Sequence, residues 1–105
     1  TKNFSFVMDA VGKWILSPSY DLSFNTGLNG EHNMDIMGEG KNIRRQHLLG
    51  LAKSSDIKST VANEIIEQTL AVASTLDVQL QSFPIDSEYR QRICQHVAQN
   101  MDYLK

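Results

Sequence analysis

Asn3-Phe4-Ser5-Phe6-Val7-Met8-Asp9-Ala10-Val11-Gly12-Lys13-Trp14-Ile15-Leu16-Ser17-Pro18 is the stretch from which the fold is read. Phe4 and Phe6 alternate with Ser5 and Val7, and aromatic and β-branched residues at period two predict a strand over Asn3 to Met8. Gly12 supplies the positive φ that a short hairpin turn needs. Lys13 to Leu16 is then the return strand. Pro18 has no N–H and ends the ladder.

Outward from the hairpin the pattern changes. Residues 19 to 31 hold Asp21, Asn25, Gly27, Asn29 and Gly30, which is loop composition. His32 to Met37 alternates and predicts a short strand, followed by a glycine turn at residues 38 to 41. Asn42 suits an N-cap for a helix over Ile43 to Ala52. Its inward face would hold Ile43, His47, Leu48 and Leu51. A longer helix is expected from Ser59 to Leu80 with an apolar stripe of Val61, Ile65, Ile66, Leu70 and Ala73. Pro84 interrupts, and a third helix is expected over Asp86 to Tyr103, where Tyr89, Ile93, Val97 and Met101 recur every fourth residue. Short connections favour antiparallel packing. The expected fold is α+β: a β-hairpin and short strand over residues 1–40, then a three-helix bundle over residues 41–105.

Composition narrows the function classes. The 105 residues are 41% hydrophobic and 21% charged, which suits one globular unit or a piece of one. The net charge is −2, so there is no basic excess with which to neutralise a nucleic-acid backbone. No run approaches the length of a membrane span, and no membrane partner is expected. Cys94 is the single cysteine, so neither an internal disulfide nor a thiolate zinc cage can form; a reducing, cytoplasmic setting is expected.

A hairpin brings its two ends together, so Asn3 and Asp21, eighteen residues apart, can lie side by side. An amide oxygen beside a carboxylate is a pair of hard ligands for Mg²⁺, which keeps waters and takes further oxygens from phosphates. The same two residues also suit a second role, as caps of turns. The remaining candidates are bland. His32 and Asp35 would face opposite sides of a strand. His47 is expected to pack half-buried, His96 to sit at the surface or its boundary, and Cys94 to be a small core residue rather than a reactive thiol. Arg44 and Arg45 read as solvated surface or an anionic-partner site. Met34, Met37 and Met101 read as core fillers.

Lys2-Asn3-Phe4-Ser5, a hairpin, and Leu16-Ser17-Pro18-Ser19-Tyr20-Asp21-Leu22 together resemble the C-terminal lobe of the HipA-like serine/threonine kinases, toxins of bacterial toxin–antitoxin modules. In that family an Asp-x-His-x-Lys-Asn-Phe-Ser segment precedes the hairpin, and a Pro-x-Tyr-Asp segment stands where other kinases carry Asp-Phe-Gly. The resemblance covers residues 1 to 22 closely; over the helices it rests on architecture. It implies a protein-kinase-like C-lobe that works with Mg²⁺ and ATP. Asn3 would be the catalytic-loop Asn and Asp21 the metal-binding Asp, with Lys2 near the transferring phosphate. The partners implied are an N-terminal kinase lobe, a helix-turn-helix antitoxin and a protein substrate, with DNA reached only through the antitoxin. The motif's catalytic Asp and His fall before Thr1, and no N-lobe is present. This polypeptide alone is therefore expected to transfer no phosphate. The alternative reading is a non-catalytic interaction or regulatory module that binds an antitoxin-type partner.

Overall fold

The computed structural model describes residues 3–105; Thr1 and Lys2, and with them the expected place of Lys2 near a phosphate, lie outside the described residues. The chain is α+β, a two-stranded antiparallel hairpin followed by helices. Strands β1 (Phe6–Met8) and β2 (Trp14–Leu16) pair Phe6 with Leu16, Val7 with Ile15 and Met8 with Trp14. Beyond the strands the Ser17 N–H donates to the Ser5 carbonyl at 2.8 Å.

The turn is built by one carboxylate and one glycine. Asp9 Oδ1 accepts from the Val11 and Lys13 N–H groups at 3.0 and 2.8 Å, and Gly12 takes φ +84°. A left-handed residue closing a three-residue loop matches the right-handed twist of the strands.

Residues 32–37 do not form the expected strand. Residues 32–35 run as irregular chain between two tight turns, one at Leu28↔Glu31 inside the expected loop and one at Ile36↔Glu39 that takes the end of the expected strand. Asn29 and Gly30 lie at φ +54° and +79°, and Met37 and Gly38 at +55° and +83°. Each pair of consecutive positive-φ residues reverses the chain within two positions, and the second reversal begins at Met37, inside the stretch expected as strand. The His32 N–H donates to the Gly40 carbonyl at 2.8 Å and draws the two turns together.

Helix α1 (Arg45–Ser54) begins two residues later than expected, with Arg44 rather than Asn42 at the N-cap. His47 Nδ1 accepts from the Arg44 N–H at 3.0 Å, while the Asn42 N–H is taken by Glu39 Oε1 at 3.0 Å. The helix ends on Asp56 at φ +56°, with the Ile57 N–H on the Ala52 carbonyl and the Asp56 N–H on the Lys53 carbonyl. That pair of bonds is a Schellman closure.

The single long helix expected over 59–80 is two helices, α2 (Ser59–Ala73) and α3 (Leu76–Leu80). At the break Ser74 Oγ donates to the Ala71 carbonyl at 2.6 Å and Thr75 Oγ1 to the Val72 carbonyl at 2.8 Å. These hydroxyls compete with main-chain donors for the carbonyls that would carry the helix onward. Helix α4 (Ser87–Leu104) starts within a residue of expectation, and Asp86 Oδ1 accepts from the Glu88 and Tyr89 N–H groups.

Helix α1 packs on α2, and α2 and α3 pack on α4. Among the described residues the buried apolar ones are Ala52, Ala62, Ile66 and Leu70. The inward stripe of α2 is therefore Ala62-Ile66-Leu70. Val61 and Ile65, expected inside, face outward at 43% and 54% exposure. Met34 and Met37 are also exposed rather than core, although Met37 lies across Gly50, where a Cβ would come within 3.3 Å of its Cγ.

Candidate metal centre

The hairpin carries its own mouth. Below the last ladder bond the two strands continue as Asn3-Phe4 on one side and Pro18-Ser19-Tyr20-Asp21 on the other, and Ser5 Oγ bonds Ser17 Oγ at 3.2 Å. One step further out Asn3 Nδ2 donates to the main-chain carbonyl of Asp21 at 2.8 Å. The two residues that the hairpin was expected to bring together do meet. The bond joins side-chain amide to backbone, and it fixes the amide: the nitrogen faces Asp21, so Oδ1 is the acceptor end.

Asp21 lies at φ +52°, in the left-handed region. Aspartate is among the non-glycine residues that adopt this backbone most readily, as Asn29 and Asp56 do elsewhere in the chain. Both side chains are exposed. One amide oxygen and one carboxylate, open to water, suit a hard cation that keeps part of its hydration and completes its shell with phosphate oxygens. Among the described residues there is no cluster of three or more His, Cys, Asp or Glu that could cage a metal. A transition-metal cage is thus not on offer, and the donors at the hairpin mouth fit Mg²⁺ better than zinc.

The other candidates take structural roles. His32 and Asp35 lie in the turn segment, where Asp35 Oδ1 accepts from the Gly38 N–H at 3.1 Å. His47, half-buried as expected, is also the capping acceptor of α1. His96 lies at the boundary, edge-on to Phe24 with centroids 5.5 Å apart. Cys94 is half-buried, and Met101 likewise. Burial first, and then the Asp77 carboxylate, push the Cys94 thiol above its ordinary range.

Arg44 and Arg45 are not idle surface. The Arg45 guanidinium spans three elements: Nε donates to the Leu104 carbonyl at 2.7 Å, Nη1 to Asn63 Oδ1 at 3.0 Å, and Nη2 pairs with Glu67. Arg44 stands over the Tyr103 ring, 5.9 Å from its centroid. Sequence spacing gave no sign of either role, because the partners lie on other helices.

No helix among the described residues is long and apolar enough to cross a membrane. No curated protein and no solved structure matches the chain significantly. The family model of the HipA-like C-terminal domain matches residues 1–76, from the hairpin mouth through α1 and α2 to the first residue of α3. With most of its length under that match, the chain belongs to the HipA-like C-terminal domain family.

Proposed function

We propose that this chain is the C-terminal part of a HipA-like serine/threonine protein kinase, in which Asn3 and Asp21 hold Mg²⁺ against the phosphates of ATP. The observation that supports the reading is the proximity of the two residues: Asn3 Nδ2 donates to the main-chain carbonyl of Asp21. The bond to the main chain keeps the Asn3 amide oriented, so its Oδ1 is presented without further ordering cost. The Asp21 carboxylate supplies the negative charge. Mg²⁺ bound there would offset charge on the transferring phosphoryl group. Lys2 would lie near that phosphate. The hydroxyl of a protein serine or threonine is the acceptor. A helix-turn-helix antitoxin is the regulatory partner, through which the complex reaches DNA, and the setting is the cytoplasm.

The test is transfer of ³²P from Mg-ATP to protein by the intact parent, alone and with its antitoxin, against an Asp21→Asn variant. Loss of one ligand charge should lower the rate on the order of 100-fold or more, because metal stabilisation of the transferring group is worth several kcal/mol. Equal activity in both proteins would remove Asp21 from the mechanism. No transfer by a folded parent would favour the non-catalytic reading, for which the exposed apolar hairpin offers a partner surface.

A further inference from the structure

Between the turn segment and the last turns of α4 lies a cleft of about 200 Å³. Thr26, Lys41 and Asn42 form one wall and His96, Asn100 and Tyr103 the other. Gln99 and Gly30 complete it, so every lining side chain is polar and none is acidic.

Two of the polar groups in the cleft already have hydrogen-bond partners. Lys41 Nζ donates to the Asn29 carbonyl at 3.0 Å, which anchors the ammonium and leaves two of its three protons to give. Gly30 lies beneath the lysine stem: a Cβ there would sit 3.2 Å from Lys41 Cε. Gln99 Nε2 donates to Tyr103 Oη at 3.2 Å, so the phenol receives from one side and its own proton is directed elsewhere. The Arg44 guanidinium over the Tyr103 ring and Arg92, which lines an adjoining cleft with His96, add positive charge at the rim. Glu39 is the carboxylate nearest in sequence to Lys41. Its Oε1 already accepts from the Lys41 and Asn42 N–H groups at 2.8 and 3.0 Å.

We propose that this cleft binds a phosphate group, free or carried on a phosphorylated side chain. An ammonium tethered by one hydrogen bond, with polar side chains around it and no acid in the lining, favours a compact oxyanion. The volume is below the roughly 300 Å³ at which pockets for whole cofactors begin, so one phosphate group fits and a nucleotide does not. The site is separate from the pair Asn3 and Asp21 and does not rest on the kinase reading.

Calorimetric titration of the intact protein with inorganic phosphate, at constant ionic strength set by chloride, tests it without ATP or metal. Binding should weaken at least about tenfold in Lys41→Gln and in His96→Gln. It should hold in Lys53→Gln, which alters a lysine in the last turn of α1. Far-UV circular dichroism reports whether each variant folds, and His96→Gln serves alone if Lys41→Gln does not. A phosphoserine peptide and its unphosphorylated twin form the second arm. Tighter binding of the phosphopeptide than of inorganic phosphate assigns the site to modified side chains, and equal binding assigns it to the free anion. No heat from wild type, or the same affinity in all four proteins, overturns the proposal.

Discussion

Arg45 does at one position what a hydrophobic core does over many. Its guanidinium binds the Leu104 carbonyl, Asn63 and Glu67, and its side chain is 27% exposed. Hydrogen bonds to a charged group are worth about 1.5–3 kcal/mol, whereas an exposed ion pair is worth less than about 1 kcal/mol. Arg45→Met should therefore destabilise the chain by about 2 kcal/mol in urea unfolding, and Glu67→Gln by well under half of that. Glu39 offers a second prediction. The N–H groups of Asn42 and then Lys41 hold its carboxyl below the ordinary value of 4.5. A lowered folded-state value means stability that is present above about pH 4.5 and lost as pH falls through the folded value. The stability gap between wild type and Glu39→Gln should close as pH falls below 4.5, and a gap that stays constant would refute the linkage. At Cys94 the neighbouring Asp77 raises the thiol's value, so Asp77→Asn should speed alkylation at pH 8.

Among the elements, the hairpin was legible because its signals are local. Period two, a glycine and a proline lie within sixteen residues, and Gly12 takes the positive φ foreseen for it. The pairing of Asn3 with Asp21 followed from the same geometry. The loop at 19–31 and the glycine turn were legible, but the loss of the strand expected over 32–37 was not, because Met37, a residue with little preference for left-handed backbone, occupies such a position. The α2–α3 break was missed for a related reason: Ser74 and Thr75 fit a helical pattern until their hydroxyls are seen to take the carbonyls. Two glycine substitutions separate the backbone effects. Gly12→Ala meets no neighbouring atom and should cost about 1 kcal/mol from its φ alone. Gly27→Ala would drive a Cβ onto the Glu31 carbonyl and should melt several degrees lower than Gly12→Ala in a thermal scan.

The whole molecule is thinly packed for its mass. Its accessible surface is 8435 Å², about 2,500 Å² more than the mass scaling for compact monomers gives. The Cα radius of gyration is 16.0 Å, against about 13 Å for a compact domain of this length. All six strand residues are exposed, and a lone two-stranded hairpin is marginal in water. The excess exceeds what one standard interface covers on one partner, about 800 Å². Trp14, the single tryptophan, is 65% exposed and reports on this face. Its emission should be that of a wetted indole in this chain alone and shift to the blue when a partner covers the hairpin. An unshifted spectrum in the intact parent would mean that the hairpin stays bare.

The same arithmetic bears on how the chain can be cut. Arg45 reaches across 59 positions to a carbonyl one residue from the last. Loss of the Leu104 carbonyl would take from Arg45 its one tie to α4 and leave only its ties to Asn63 and Glu67 on α2. The last turn of α4 is thus coupled to the first turn of α1, although 59 positions separate the two residues that join them.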